Sequence, residues 1–511
     1  MDIEILGRAL STLPADDDHP YRTGPWRPQT VERKADDLDV VGELPADLDG
    51  VYLRNTENPV HPALRLYHPF DGDGMVHAVG FRAGEAFYRN RFVRTDGFVA
   101  EQAAGRPLWA GLAEDPAASP TKTGWGARTR LKDASSTDVI LHNGVALTSF
   151  YQCGDLYRLS PTTLETLGKA TWHGRFPSAV GVSAHPKVDD RTGELLFFNY
   201  GLDAPYLHYG VVDAADHLVH YVDVPLPGPR LPHDMAFTEH YAILNDCPLF
   251  WSPEALAAGK YAAKFHPDLP TRLGVLPRRG TTGQIRWFEA APTYVLHWVN
   301  AYEEGDTIVL DGFFQSDPEP PAGNGGIYQR MFRFLDNDLM GPRLHRWRLN
   351  LTTGLVKEEA LTATVSEFGM INAGHGGRRH RYSYSATSVP GWFLFNGIVK
   401  HDAETGREET YRFEEGVFAS ETAMAPRVGS TGSSGSTGSS GSAGLSGSSA
   451  EDDGYLVTIT SDVNRDLSEC LVFDARRLAD GPVCRVRLPE RVSSGTHSTW
   501  APGSAIPDWN S

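Results

Sequence analysis

Short runs in which apolar and polar residues alternate, each bounded by turn residues, recur along most of the chain. They include 50–55, 75–81, 86–93, 138–151, 194–201, 294–314, 381–389, 392–402, 455–462 and 469–478. Valine, isoleucine, threonine and aromatic residues dominate them, and breaks such as Asn143-Gly144 interrupt them. That pattern predicts strands joined by tight turns. Helical periodicity is confined to short pieces such as 252–265. Many short strands without strand–helix alternation predict a large all-β fold, a propeller or a barrel. No clean repeat of about 40–50 residues is present, so arrays with a strict sequence repeat are not supported.

Three stretches depart from this texture. Residues 429–449 are Gly, Ser and Thr apart from Ala443 and Leu445, with glycine at every third position but no proline, which predicts a flexible, solvated loop insertion. Acidic clusters at 16–19 and 36–39 predict that residues 1–44 form a loosely held N-terminal arm. Segment 247–265 sets Leu249, Phe250 and Trp251 beside the helix-prone stretch with Lys260 and Lys264. It reads as a buried strand end with a surface helix, or as a patch that rests on lipid.

Composition narrows the function. The chain has 511 residues, 47 basic and 65 acidic, for a net charge of −18. An acidic balance argues against a nucleic-acid partner, which needs clustered Lys and Arg. The four cysteines, Cys153, Cys247, Cys470 and Cys484, are dispersed, which excludes a CxxC dithiol or thiolate zinc module and fits a reducing cytosol. The N-terminal residues lack the basic and apolar regions of a secretory signal, and no run is long and apolar enough to span a bilayer. These features predict a cytoplasmic protein, resting at most on a membrane surface.

The 19 histidines leave room for an imidazole-bound metal. Most of them read as ordinary half-buried strand residues. His185, His233, His297 and His497 stand at strand entries or in distinctive contexts: Ser183-Ala-His-Pro-Lys187, Leu231-Pro-His-Asp-Met235, Val295-Leu-His-Trp298 and Ser494-Gly-Thr-His-Ser498. Their separations fit no local metal motif, so spacing alone does not propose a site. Only a fold that gathers blade ends around one axis would unite them.

Eight motifs in order extend across the chain: Phe70-Asp-Gly-Asp-Gly-Met-Val-His77, Arg89-Asn-Arg-Phe-Val-Arg-Thr95, Ala184-His-Pro-Lys-Val-Asp189, His233-Asp-Met235, His297-Trp-Val-Asn-Ala-Tyr-Glu303, Arg378-Arg-His-Arg-Tyr382, Glu451-Asp-Asp-Gly-Tyr455 and His497-Ser-Thr-Trp500. Together they resemble the carotenoid cleavage oxygenase family. The resemblance implies a seven-bladed β-propeller with a small α-helical cap over its top face, occupying 1–511. It implies Fe(II) held by His185, His233, His297 and His497, with no catalytic acid or base beyond the iron site. It also implies that glutamates behind those rings are Glu367 and Glu421. A third glutamate is expected in the strand 146–157, but the matching position is Gln152, so the iron site is expected to be one negative charge short. Stilbene-cleaving relatives carry a lysine where this chain has Tyr151, which favours a carotenoid or apocarotenoid. The implied partners are an apolar polyene and O₂, with peripheral membrane contact through 247–265. The implied reaction is cleavage of one C=C bond into two carbonyl products. Alternatives are a stilbene-cleaving dioxygenase, a redox-neutral isomerohydrolase, and a non-catalytic propeller that binds a hydrophobic ligand.

Overall fold

A computed structural model of the chain describes residues 1–121, 131–252, 263–322, 324, 326–428, 450–507 and 509. The Gly/Ser stretch 429–449 and most of the helix-prone segment, 253–262, lie outside the described residues. The alternating runs fold into antiparallel sheets that form seven blades. In most blades the strands follow one another across the sheet, and many of the connections are tight hairpins.

Blade 1 takes Asp2–Arg8, Val31–Asp36, Glu85–Phe92, Asp73–Arg82, Gly50–Asn58 and Gly495–Pro502 in spatial order. Blade 2 runs from Asp138–His142 to Thr166–Lys169, blade 3 from Lys187–Asp189 to Leu218–Pro225, and blade 4 from Ala236–Phe237 to Arg286–Ala290. Blades 5 and 6 share the long strand Val356–Met370. Its first part pairs with Arg343–Asn350 and its last residues pair with Tyr382–Ser388. Blade 7 is built on Gly454–Asp462 and Leu467–Asp474.

Two exchanges close the ring. Gly495–Pro502 joins blade 1 against Gly50–Asn58, and Val40–Gly42 joins blade 7 against Pro482–Arg487. The N-terminal 44 residues are therefore not the loose arm expected from their acidity. Asp2–Arg8, Val31–Asp36 and Val40–Gly42 are all strands, and Asp17 in the acidic cluster holds Arg22 at 2.6 Å. Backbone pairing outweighs charge density there, because each acid sits beside an arginine, a lysine or open solvent.

Both faces of most blades are covered, which explains the continuous apolar runs. Val51 and Leu53 turn toward Val139 and Tyr157 of blade 2, whereas Tyr52 between them turns toward Val457 and Val472 of blade 7. The same division recurs around the ring: Leu147 meets Phe197, Leu196 meets Leu244, and Ile243 meets Leu310 in clusters that join neighbouring blades. Among the described residues α-helix is scarce, comprising Asp96–Ala104 and the short turns Ile327–Met331 and Asn337–Met340. Tyr328 and Met331 pack against an aromatic cluster containing Tyr67, Phe332, Phe368 and Phe393. This places part of the helical cap over one end of the ring.

Around the axis the leading strands touch one another: Gly495–Pro502 meets Asp138–His142, and Ala236–Phe237 meets Trp298–Glu304. The starts of these strands are where side chains from different blades converge.

Candidate metal centre

His185 lies just before Lys187–Asp189, His233 just before Ala236–Phe237, and His297 just before Trp298–Glu304, while His497 is inside Gly495–Pro502. Each thus enters from the leading strand of a different blade. One ring nitrogen from each of the four lies within 4.8 Å of the others. The four histidines that the sequence singled out are brought together at one point.

In three of the four the other nitrogen is turned outward to a carboxylate. His297 Nδ1 is 2.6 Å from Glu367 Oε2. His497 Nδ1 is 3.4 Å from Glu421 Oε2, and His185 Nδ1 is 3.4 Å from Asp138 Oδ2. A carboxylate at Nδ1 favours the tautomer with hydrogen there, which leaves the Nε2 lone pair free to face inward. Glu367 is fully buried on the long shared strand, and Glu421 lies between Val417–Phe418 and Ala423–Pro426 of blade 7. Ser498 donates its backbone N–H to Glu421 at 2.6 Å, so this carboxylate holds both the ligand side chain and the chain just after it.

Two residues escaped the sequence reading. Asp138 opens the leading strand of blade 2 and is buried against His185. Asp234, next to His233, accepts Trp298 N–H at 2.8 Å and ion-pairs with Lys187 Nζ at 2.7 Å. It therefore ties together the chain beside His185, His233 and His297. Its signal was present in the His233-Asp-Met motif, but an aspartate at a strand entry otherwise reads as a turn residue. Gln152 is buried just past Val145–Ser149 on the same hairpin as Asp138. Among the described residues no carboxylate lies within 4 Å of a His233 ring nitrogen.

Local backbone strain marks the site. His185 has φ +63 and Phe368, directly after Glu367, has φ +57. Left-handed conformations cost non-glycine residues about 1–3 kcal/mol and persist where the surroundings enforce them.

The electrostatics disfavour imidazolium. Burial, followed by the neighbouring rings, pushes His185 and His233 far below the usual histidine range, and burial pushes His297 to about 3. His497 goes the other way: burial opposes it, but Glu421, then Asp138 and Asp234, hold it above the ordinary value. Burial raises Glu367 to about 8 and raises Asp138 as well, shifts that a divalent cation held by the rings would reverse.

This donor set fits a metal ion. The Nε2 atoms of His185 and His233 face each other at 3.1 Å, a distance that needs a proton or a shared cation between them. His297 Nε2 is buried with no hydrogen-bond partner. An all-nitrogen set suits late first-row divalent ions rather than magnesium or calcium.

Residues 26–502 match the retinal pigment epithelial membrane protein family, and the chain is 31% identical to carotenoid 9,10(9′,10′)-cleavage dioxygenase 1 of Phaseolus vulgaris over 97% of this chain and 92% of that one. The chain belongs to the carotenoid cleavage oxygenase family. Among solved structures of the family, the Pseudomonas brassicacearum lignostilbene dioxygenase superposes with a TM-score of 0.80 at 26% identity, covering 95% of this chain and 99% of that one. The cobalt-substituted Synechocystis apocarotenoid oxygenase superposes with a TM-score of 0.79 at 27% identity, covering 93% and 97%. The carotenoid cleavage oxygenase assignment agrees with the propeller and with an enzyme whose four axial histidines could hold a metal.

A run of ring contacts encloses the histidines on one side. Tyr151 lies 5.7 Å from His233 and 6.0 Å from Phe70, and Phe70 lies 5.7 Å from Phe393. Phe393 is 5.9 Å from Phe368, which returns to His297 at 5.0 Å and His497 at 4.8 Å. The site is thus walled by apolar rings and backed by acids.

Proposed function

We propose that this chain is a non-haem Fe(II) dioxygenase that splits one C=C bond of a carotenoid or apocarotenoid into two carbonyl products. The observation that carries the reading is the set of four imidazoles within 4.8 Å, backed by carboxylates and walled by rings. Ferrous iron, when bound, supplies the centre at which O₂ is activated. The protein's own task is positioning. Tyr151, Phe70, Phe393 and Phe368 offer π faces to a flat polyene and exclude water from the reacting bond. The carboxylates hold the rings in one orientation, which fixes the distance between the metal and the chosen bond. No side-chain acid or base is required, because each carbonyl takes one oxygen atom from O₂.

The test is cleavage under ¹⁸O₂ with prompt trapping of the products. Label in both carbonyls supports the reading. Label in one product only, or in neither, overturns it in favour of a monooxygenase or a redox-neutral isomerohydrolase.

A stilbene is the second reading, supported by the likeness to the Pseudomonas enzyme. Tyr151 argues against it, since an uncharged, partly buried phenol stands where the resemblance places a lysine in stilbene cleavers. Rates on a panel of apocarotenals and stilbenes separate the two.

The reading keeps 247–265 as the place where the protein rests on lipid. The described part is a hairpin pairing Leu249–Trp251 with Ala263–Phe265, in which Phe250 is packed between Arg230 at 3.9 Å and His266 at 4.2 Å. Flotation with lipid vesicles, lost on Trp251→Glu, tests it; flotation unchanged by that substitution overturns it.

A further inference from the structure

The sequence leads one to expect a metal site short of one negative charge, because Gln152 stands where a glutamate is expected. The structure supplies a third carboxylate elsewhere. Asp138 begins one strand of the hairpin Asp138–His142 and Val145–Ser149, pairs opposite Ser149, and so lies close in the fold to the turn that carries Gln152. Its side chain is buried, with Oδ1 accepting Val139 N–H at 2.7 Å and Oδ2 set 3.4 Å from His185 Nδ1. Its backbone carbonyl accepts Asn55 Nδ2 at 3.2 Å, which anchors the strand start. The carboxylates behind the imidazoles are therefore Asp138, Glu367 and Glu421, serving His185, His297 and His497. Asp234 adds no net charge, because Lys187 neutralises it at 2.7 Å.

We infer that Asp138 is a positioning residue for His185 and carries the third negative charge of the metal centre, moved from position 152 to position 138 of one hairpin. The inference rests on the metal-centre reading above. It replaces a shortage of charge with a change of address: His185 gains an anionic partner and His233 is the ring without one. His233 is then the weakest donor of the four, on the side facing Tyr151.

The experiment compares the wild type with Asp138→Asn, Gln152→Glu and the double variant. The readouts are Co(II) affinity by competition with a chelator, the visible spectrum of the Co(II) form, and melting of the metal-free protein. Asp138→Asn is expected to bind Co(II) about 10–100-fold more weakly and to change its visible bands, with metal-free melting close to wild type. Adding Gln152→Glu to it should recover part of that loss. Gln152→Glu alone should tighten binding by less than about tenfold, because the third charge is already present.

Wild-type affinity and spectrum in Asp138→Asn, or no recovery in the double variant, would overturn the inference. So would a 10–100-fold tightening by Gln152→Glu alone, which would mean that the wild-type site lacks a charge, and this holds even if Asp138→Asn does not fold. A folded wild type that takes up no divalent metal would instead sink the metal-centre reading itself.

Discussion

Glu367 Oε2 lies 2.6 Å from His297 Nδ1 and accepts the backbone N–H of Phe368 at 2.7 Å. One carboxylate oxygen thereby sets the orientation of a ring and holds the next residue in its left-handed conformation. That residue's own ring then packs against His297 and His497.

Neutralising this carboxylate should loosen the centre without unfolding it. Glu367→Gln is expected to lower bound iron after dialysis against a chelator, and kcat/KM, by about 10–100-fold. Metal analysis and steady-state kinetics check it. Full occupancy with unchanged kcat/KM would remove Glu367 from the site's design.

Trimming the ring wall should act on substrate rather than metal. Phe393 touches Phe368 at 5.9 Å and Phe70 at 5.7 Å, and among the described residues no ring contact joins it to the four histidines. Phe393→Ala should leave iron content at the wild-type level and raise KM for a long apocarotenal several-fold, a loss of about 1–2 kcal/mol of apolar contact. Equal loss of iron would contradict the division of labour.

A buried histidine outside the centre predicts part of the acid sensitivity. His380 is held down to about 4, first by burial, with Arg346 adding to it and Asp311 opposing. Its Nε2 is 3.4 Å from Asp311 Oδ2, and its Nδ1 is 3.1 Å from Asn300 Nδ2. The folded pKa is below the unfolded value of 6.5, so the unfolded chain binds the extra proton between the two. Its contribution is thus complete above about 6.5 and lost as pH falls toward 4, on the order of 3 kcal/mol in all and about 2 kcal/mol by pH 5. The stability gap between wild type and His380→Gln, from urea midpoints, should shrink by that amount between pH 7.5 and 5. A gap independent of pH would refute the assignment.

Ring closure has its own cation. Arg54 is buried at 1% exposure, and its guanidinium donates to Ser493 O at 2.7 Å and to Ile459 O at 3.0 Å. It stitches blade 1 to blade 7 and to the approach of the last strand. Arg54→Ala strands those carbonyls and should cost about 3 kcal/mol or more. Lost stability with retained metal affinity per folded molecule is the expected pattern, measured by melting and by titration.

How much of this was legible depended on distance along the chain. The hairpins announce themselves by alternation, because each strand buries its residues within a few positions of a turn. Val356–Met370 did not, since lysine, glutamate and threonine on its outer stretch carry no apolar period, yet its final residues carry Glu367. The four histidines were conspicuous by context but could be united only through a resemblance covering the whole ring. Glu367 and Glu421 would have passed for surface acids without it. Asp138 and Asp234 stayed hidden for a different reason. Their partners come from other blades, 47 residues away for Asp138–His185 and 64 for Asp234–Trp298, and nothing local encodes that approach.

The placement of His497 on the strand that completes blade 1 sets an order of events. A ribosome delivers His185, His233 and His297 long before Gly495–Pro502 can dock against Gly50–Asn58. Three imidazoles therefore exist in an open ring that cannot yet grip an ion firmly, and the final ligand arrives with the clasp. Capture of a metal by all four imidazoles would thus report that the ring has closed.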